Sequence, residues 1–265
     1  MDNRIEMNKI YAIDCLDGMK KLDSESVDLV VTSPPYDDIR DYRGYNFDFE
    51  SIASELFRVM KKGGIVVWVV GDRIRNGNKT LTSFNHALHF QGVGFNVHDV
   101  MIYQKKNTPF MRSNAYTNAF EFMFVFSKGK PNVFNPLKTK TKRNGLELLP
   151  FNKKSDGVNK KALGELKMEK TLTNIWPYAV GLGGSTTDRI AFKHPAIFPE
   201  KLAEDHILSW SNPGDLVLDP MCGSGTTCKM ALLNNRRYIG FDVSTDYCDI
   251  AEERLRQSLT NSVAS

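Results

Sequence analysis

The run of residues 65–70 (IVVWVV) constrains the fold more than any other feature of this sequence. All of its residues are apolar, so no position marks an exposed face. A run this short and continuous is typical of a central parallel strand that helices cover on both sides. Residues 49–60, just before it, are predicted to form a helix that stops at two lysines and two glycines. The sequence therefore predicts an α/β domain.

Strands and helices alternate through most of the chain. Further strands are predicted over residues 9–14, 27–32, 97–103, 120–126, 216–219 and 238–242, and further helices over residues 17–22, 81–91, 200–210, 226–234 and 247–259. From about residue 130 to residue 193 the alternation stops, and polar residues, lysines and glycines dominate. The pattern predicts a doubly wound, mostly parallel sheet that is interrupted by an inserted module.

Length and composition narrow the class of protein. A chain of 265 residues suits one large domain or one domain with an insert. No apolar run reaches the roughly 18 residues of a membrane-spanning helix, and residues 1–6 lack the apolar core of a signal peptide. The four cysteines form no CxxC pair. We therefore expect a protein of a reducing cytoplasm that holds no metal.

Charge is distributed unevenly along the chain. Residues 128–193 contain 14 Lys and Arg against 5 Asp and Glu, a segment charge of +9, whereas the whole chain carries only +4. The remainder is therefore mildly acidic. A basic segment on an acidic body is expected to bind a polyanion, although a solvated, lysine-rich loop has the same composition.

One predicted strand ends in a distinctive motif, Thr32-Ser33-Pro34-Pro35-Tyr36. In open α/β sheets, ligands bind at the carboxyl ends of the strands. The prolines stiffen the backbone and carry no N–H, so the carbonyls around them are acceptors without adjacent donors. Rigid acceptors beside an aromatic ring suit a planar ligand that carries an amino group.

A second motif follows the strand at residues 216–219, in the sequence LVLDPMCGSGTT. It lacks the dinucleotide pattern GxGxxG and the GK[ST] of a phosphate loop, and its glycines are predicted to let the backbone approach a ligand. Asp219 suits a cationic or amino-bearing group. Asp242, 23 residues later, has the spacing of an acid that binds ribose hydroxyls. A nucleoside without phosphates that carries an amino acid, such as S-adenosylmethionine, fits this combination.

With both motifs and the basic segment between them, the chain resembles the amino-methyltransferases of DNA. That family uses [Asp/Asn/Ser]-Pro-Pro-[Tyr/Phe] for catalysis and Asp-Pro-x-x-Gly-Ser-Gly-Thr-Thr for the cofactor, and the catalytic motif comes first here, as in the β group. The resemblance covers nearly the whole chain. It implies a circularly permuted, Rossmann-like fold with a mostly parallel seven-stranded sheet. It also implies a catalytic half at residues 1–129, a target-recognition insert at 130–193 and a cofactor-binding half at 194–265.

The resemblance also assigns roles to residues. Ser33 accepts one hydrogen of the target amino group, the Pro34 carbonyl accepts the other, and Tyr36 stacks on the base. The candidate catalytic residues are Ser33, Pro34, Pro35 and Tyr36. The candidate cofactor-binding residues are Asp14, Cys15, Phe198, Asp219, Pro220, Cys222, Gly223, Ser224, Gly225, Thr226, Thr227 and Asp242. The candidates for contact with DNA, from which the base must flip, are Arg40, Arg43, Lys138, Lys140, Lys142, Arg143, Lys153 and Lys154.

Ser33 bears on the choice of base. In the family, Ser at this position is more typical of N4-cytosine enzymes and Asp of N6-adenine enzymes, so N4-cytosine is predicted and N6-adenine is the alternative. Relatives that methylate RNA or protein usually carry the cofactor motif first. A DNA-binding protein without catalysis would have no use for Ser33, Tyr36 and both acids together. The resemblance further implies a prokaryotic or phage-encoded enzyme that acts on double-stranded DNA, and it leaves a homodimer and a cognate restriction enzyme open as partners.

Overall fold

The computed structural model describes residues 5–35, 47–108, 113, 115–141, 145–148, 152–153, 159–160 and 163–263. The chain divides into two compact units. The first comprises Met1–Asn135 and Asn174–Ser265, and the second is Pro136–Thr173.

The strands are numbered along the chain. They are β1 (Lys9–Ala12), β2 (Val27–Thr32), β3 (Met60–Val70), β4 (Ile74–Arg75), β5 (Asn78–Lys79), β6 (Asn96–Lys105), β7 (Phe120–Ser127), β8 (Lys138–Lys140), β9 (Gly145–Leu148), β10 (Asn152–Lys153), β11 (Asn159–Lys160), β12 (Leu163–Leu166), β13 (Glu169–Thr171), β14 (Ile175–Tyr178), β15 (Leu216–Asp219) and β16 (Arg237–Asp242).

One large sheet organises the first unit. Within the described residues it has eight strands in the order β1-β16-β15-β2-β3-β7-β6-β14. Strand β7 is antiparallel to both of its neighbours, and the other neighbouring pairs are parallel. The predicted α/β fold with a mostly parallel sheet is confirmed, with eight strands where seven were expected.

Helices connect these strands and cover the sheet. They are α1 (Cys15–Met19), α2 (Phe49–Val59), α3 (Thr82–Val93), α4 (Glu200–Trp210), α5 (Thr226–Leu233) and α6 (Thr245–Val263), with a 3-10 helix at Arg189–Lys193. Among the described residues, no helix combines the length and apolar character that crossing a membrane requires.

The core is built largely from aromatic and branched residues of the central strands. Trp68 of β3 is fully buried, and its ring centroid lies 5.0 Å from that of Phe90 on α3. Phe90 in turn stacks on Phe126 of β7 at 4.3 Å. Burial of large side chains on this scale contributes roughly 1.5–3 kcal/mol each. The packing fixes β3 and, through it, the neighbouring strand β2 that leads to Ser33.

Two differences from the predicted elements have clear physical causes. Strand β3 begins at Met60, because Met60 pairs with Val27 across an irregular register. The lysines and glycines that were predicted to stop a helix therefore lie inside a strand. Strand β14 was not predicted, because Pro177 interrupts its sequence. It is nevertheless an edge strand, parallel to β6, which is a position where proline is tolerated.

The limits predicted for the insert, 130 and 193, are wider than the compact second unit. Residues 174–193 belong to the first unit, since β14 extends the large sheet and the residues after it lead into α4. Within the second unit, the strands form three antiparallel pairs, β8 with β13, β9 with β12 and β10 with β11. A role of this unit in target recognition remains a prediction.

Candidate active site

The candidate site lies where β16, β15 and β2 end side by side. Asp242, Asp219 and Thr32 are the last residues of these strands. Because the strands are parallel neighbours, their last residues meet at one edge of the sheet. From β15 the chain continues to its neighbour β16, and from β2 it continues in the opposite direction to β3. Diverging connections of this kind leave a crevice between the two strand ends, where α/β proteins bind ligands.

Two buried hydrogen bonds join the catalytic motif to the glycine-rich turn. The Thr32 hydroxyl donates to Asp219 Oδ1 at 2.7 Å. The Thr227 hydroxyl, at the start of α5, donates to the carbonyl of Val31 at 2.9 Å. Ser33 follows directly, half-buried, and Pro34 is buried. The two motifs, more than 180 residues apart in sequence, thus form one rigid assembly.

Asp219 is oriented differently from the sequence-based expectation of a direct ligand contact. Its carboxylate accepts hydrogen bonds from Thr32 and, at 3.2 Å, from the backbone N–H of Met221. Only 2% of the residue is exposed. Burial raises the pKa of Asp219 to about 6, against the opposing effect of these hydrogen bonds. The side chain therefore organises the turn from within.

The glycines of the turn are required by protein packing. Gly223 and Gly225 have positive φ angles of 48° and 76°. A Cβ on Gly223 would lie 2.7 Å from His194 Nε2, and a Cβ on Gly225 would lie 2.6 Å from the Cβ of Ala251. Both spaces are occupied by side chains of this protein, so the expected close approach of a ligand is not what requires glycine there.

Asp242 and Asp14 lie at the ends of adjacent strands. Ala12, the last residue of β1, pairs with Asp242. Asp242 accepts from the backbone N–H of Gly223 at 3.0 Å and of Ser244 at 2.9 Å, and its burial raises its pKa. Asp14 caps α1 by accepting from the N–H of Leu16 at 2.9 Å. Both acids are half-buried, so each retains an accessible edge.

Most other residues of the turn are enclosed. Cys15, Pro220, Cys222, Ser224, Thr226 and Thr227 are buried. Cys228 and burial raise the pKa of Cys222, so its thiol stays protonated and packs as a small apolar group beside Gly240. Within residues 216–231, Met221 is the residue that is not buried. Its accessibility on the turn had no signal in the sequence.

His194, in the segment before α4, supports the turn. The residue is 8% exposed, and its ring lies against Gly223 and, edge-on, against Tyr247 at 4.3 Å. Its Nδ1 is 2.6 Å from the carbonyl oxygen of Ala196. Phe198, four residues later, is half-buried. The segment before α4 is thereby held beside the cofactor motif.

A buried ion-pair network lies behind the turn, and sequence reasoning missed it. Arg254 on α6 is 1% exposed. Its guanidinium donates to the carbonyl of Ser224 at 2.5 Å and to the hydroxyl of Thr226 at 3.2 Å. It also pairs with Glu200 at 2.6 Å and with Asp188 at 3.0 Å. One side chain therefore ties the glycine-rich turn to the start of α4.

Lys229 completes this network. Its ammonium group lies 2.7 Å from both Asp188 and Glu200. Burial favours a higher pKa for Asp188, but the hydrogen bonds and charges of Lys229 and Arg254 outweigh it and hold that pKa below its ordinary value. The two cations and two carboxylates balance, so no net charge faces the turn from behind.

The predicted DNA contacts are described only in part. Lys138 and Lys140 are exposed, and Lys138 Nζ lies 3.7 Å from Glu169 Oε2. An exposed pair of this kind is worth about 0–1 kcal/mol. For Lys153 the structure describes the backbone only. Tyr36, Arg40, Arg43, Lys142, Arg143 and Lys154 lie outside the described residues.

The site fits S-adenosylmethionine by its chemistry. Its accessible acids can accept hydrogen bonds from ribose hydroxyls and amino groups. Among the described residues, the cations nearest the turn, Lys229 and Arg254, are paired with carboxylates, so they do not form a phosphate site. Among the described residues, no group of three or more His, Cys, Asp or Glu side chains is arranged to hold a metal.

Comparison with known proteins agrees with this reading. The model of the N6/N4 DNA methylase family matches residues 27–253. The orphan methyltransferase M.BamHII of Bacillus amyloliquefaciens is 55% identical over 236 residues, which cover 87% of this chain and 89% of the relative. The type II methyltransferase M.HinfI of Haemophilus influenzae is 28% identical over 285 residues, covering 96% of this chain and 70% of that protein.

Solved structures show the same fold. The cytosine-N4-specific PvuII DNA methyltransferase has a TM-score of 0.70 at 20% identity, with 95% of this chain and 87% of that chain covered. M1.HpyAVI in complex with SAM has a TM-score of 0.63 at 24% identity, with 93% and 98% covered. The resemblance found in the sequence is confirmed. The chain belongs to the N6/N4 family of DNA methylases, the amino-methyltransferases that take their methyl group from S-adenosylmethionine.

Proposed function

We propose that this protein transfers a methyl group from S-adenosylmethionine to the N4 amino group of a cytosine that has flipped out of duplex DNA. The observation that carries the proposal is the pair of buried hydrogen bonds between the two motifs. These bonds hold Ser33 and Pro34 next to the turn that binds the cofactor. A methyl acceptor gripped by the first motif is then fixed relative to the methyl donor.

Ser33 and Pro34 act on the target amine by accepting its hydrogens. The Ser33 hydroxyl accepts one N–H, and the Pro34 carbonyl accepts the other. The exocyclic nitrogen of a base is planar because its lone pair is delocalised into the ring. Two fixed acceptors hold the nitrogen toward tetrahedral geometry, which directs the lone pair at the incoming methyl group. Ser33 is a poor base, so the leaving proton passes to water.

The cofactor supplies an electrophilic methyl group on a sulfonium. On this chain, Asp242 accepts hydrogen bonds from the ribose hydroxyls and Asp14 contacts the adenine side of the site. Phe198 lies beside the methionine end. Asp219, Arg254 and His194 keep the turn in shape without touching the ligand.

We assign base stacking to Tyr36, worth roughly 1–3 kcal/mol, and target recognition to the second unit. The lysines of that unit would contact phosphates, which position the protein without reading sequence. A homodimer, a cognate restriction enzyme and a cytoplasmic location stay predictions.

The choice of cytosine depends on Ser33, and nucleoside analysis tests it directly. Plasmid DNA is incubated with the protein and labelled S-adenosylmethionine, digested, and resolved by mass spectrometry. We expect N4-methylcytosine. Labelled N6-methyladenine alone would overturn the choice of base but leave amino methylation intact, whereas unlabelled DNA would overturn the proposed function as a whole.

The amine grip is tested by Ser33→Ala. We expect turnover to fall about 10²-fold, the size of loss that misplacing a reactant causes, while the Kd for S-adenosylmethionine stays unchanged. Ser54→Ala, at an exposed position of α2, serves as the matched control and should retain full activity. Full activity of Ser33→Ala would refute the proposed role of the hydroxyl.

A further inference from the structure

A partly buried ion pair lies at the same edge of the sheet as the Ser33 motif. Lys105 is the last residue of β6, and Glu121 is the second residue of β7. Lys105 Nζ lies 2.6 Å from Glu121 Oε1, and the two side chains are 26% and 16% exposed. Because β7 is antiparallel to both β3 and β6, its first residues lie at the edge where those strands end. The pair therefore shares the catalytic edge with Ser33.

The ion pair faces the side of the sheet that holds the glycine-rich turn. Met123, two residues after Glu121, has its sulfur 3.3 Å from Nε2 of His206 on α4. Side chains two positions apart in a strand point to the same face, so Glu121 also faces the side of α4. Helix α5, which begins at the glycine-rich turn, lies on this side too, since its Lys229 pairs with Glu200 of α4. The turn assigned to the methyl donor and the ion pair are thus on one side of the sheet.

The separation between Ser33 and Glu121 suits a single base. Strand β3 lies between β2 and β7, with Thr32 paired to Trp68 and Trp68 paired to Phe124. At about 4.8 Å between strands and about 3.3 Å per residue, the Cα atoms of Ser33 and Glu121 lie about 12 Å apart. One pyrimidine ring with a hydrogen bond of about 3 Å at each end spans a gap of this size. A base held at Ser33 by its amino group therefore brings its far edge to the ion pair.

Lys105 is oriented and still has donors to offer. A lysine ammonium group has three N–H donors, and among the described residues Glu121 is the one carboxylate paired with this lysine. The ammonium group also lies 5.9 Å from the ring centroid of Tyr103, a residue that is 3% exposed. Burial and the charge of Glu121 raise the pKa of Tyr103, so its phenol stays neutral. Lys105 can therefore donate to a neutral acceptor of a ligand from a fixed position.

We propose that Lys105, oriented by Glu121, donates a hydrogen bond to O2 of the flipped cytosine. The inference rests on the proposed function and deepens it, because it names a residue that distinguishes cytosine from adenine within the site. O2 lies on the far side of the ring from the N4 amino group that Ser33 accepts from. Adenine carries a C–H at the corresponding position and would leave the lysine without its acceptor. A site built to hydrogen-bond a polar group strongly rejects a ligand that lacks it.

The test removes the donor and measures the choice of base. Once the methylated position is mapped, two 30-base-pair duplexes are compared that differ in carrying cytosine or adenine there. In Lys105→Met, kcat/KM on the cytosine duplex should fall by about 10- to 100-fold, the loss expected of one hydrogen bond to a charged group. The ratio of kcat/KM for cytosine over adenine should fall by a similar factor, while the Kd for S-adenosylmethionine stays at the wild-type value. Lys105→Arg keeps a donor and should recover most of the activity and of the ratio.

A matched control breaks a comparable ion pair at the opposite edge of the sheet. Lys61, near the start of β3, has its Nζ 2.7 Å from Oδ1 of Asp28 on β2. Lys61→Met should leave both kcat/KM and the cytosine-to-adenine ratio unchanged. Urea denaturation of Lys105→Met and Lys61→Met compares the two losses of stability directly.

The outcomes separate this inference from the proposed function. An unchanged cytosine-to-adenine ratio in Lys105→Met would overturn the role of Lys105, and so would a loss of activity that merely follows a loss of folding or of S-adenosylmethionine affinity. A wild-type protein that methylates only adenine would overturn it as well, while leaving amino methylation intact. If the wild-type protein methylated no DNA at all, the proposed function itself would fail.

Discussion

Asp219→Asn should make the protein more stable, although Asp219 belongs to the cofactor motif. The carboxylate is 2% exposed and has no cationic partner among the contacts described above. Burial raises its pKa from 3.8 to about 6, and the nearby charge of Asp242 adds to this increase. Asparagine keeps the Oδ1 acceptor for Thr32 and Met221 and removes the charge. The folded state is then free of the unfavourable free energy of keeping a buried carboxylate ionised.

The magnitude follows from the shift in pKa. A folded-state pKa above the unfolded value means that the folded protein holds the proton more tightly, so stability is lost as pH rises from about 4 through 6. At 1.36 kcal/mol for each pKa unit, the ionised Asp219 costs the folded state about 3 kcal/mol at pH 8 and about half of that at pH 5. Asp219→Asn should therefore raise the free energy of unfolding by up to these amounts.

Urea denaturation of wild type and variant at pH 5 and pH 8 measures the effect. Asp249→Asn, at an exposed position on α6, is the matched control, and it should change stability little at either pH. Asp219→Asn should be the more stable protein at pH 8, by a margin that narrows at pH 5. A variant that is less stable than wild type at both pH values, by the same amount, would refute the reasoning, since the hydrogen bonds would then outweigh the buried charge.

Three further results are expected. Gly225→Ala should destabilise the protein by about 2–5 kcal/mol, because the new side chain has a strained φ and clashes with Ala251. In urea denaturation, Gly225→Ala/Ala251→Gly should relieve the clash and leave only the cost of the strained φ. Its loss of stability should then match that of Gly77→Ala, where φ is similar and the space is open. Burial lowers the pKa of His206 to about 3, so the free energy of unfolding should fall by about 2 kcal/mol between pH 7 and pH 5. His206→Phe should remove most of that pH dependence. An equally steep loss of stability toward low pH in the variant would show that His206 is not its cause. Arg254→Met leaves Lys229 as the one cation paired with Asp188 and Glu200, so the free energy of unfolding should fall by about 3–5 kcal/mol. S-adenosylmethionine binding, measured by calorimetry, should weaken as well, and Arg254→Lys should be less affected. Equal cofactor affinity in wild type and both variants would show that the network does not shape the turn.

The fold was predictable from the sequence because its strands are short apolar runs with distinct ends. Residues 27–32, 200–210 and 216–219 match the observed elements β2, α4 and β15 to the residue. Strand β14 was missed because the signal for an edge strand is a pairing partner elsewhere in the chain. Its pairing with β6 is fixed by packing around Trp176 and Tyr178, both 7% exposed.

That the residues of the two motifs meet at one edge of the sheet was predictable, but the contacts they make there were not. The sequence motif predicted that Asp219 and the glycines lie at the carboxyl edge of the sheet and that they contact the ligand. The structure directs Asp219 to Thr32 and fills the space next to Gly225 with Ala251. These contacts join residues that are 187 and 26 positions apart in the sequence. Arg254 had no signal at all, because a single arginine on an amphipathic helix reads as a solvated side chain until its partners are known.

In the proposed binding mode, the carboxylates around the turn should favour the substrate form of the cofactor over its product. Asp14 and Asp242 are half-buried at the site, whereas Arg254 and Lys229 are paired behind the turn with Asp188 and Glu200. Methyl transfer converts a sulfonium cation into a neutral thioether, so the carboxylates lose an attractive partner once the reaction is complete. A cation left unpaired near the turn would have the opposite effect and retain the product. We therefore expect the buried ion pairs to serve turnover as well as structure, because they allow two cations to brace the glycine-rich turn while adding no positive field to it.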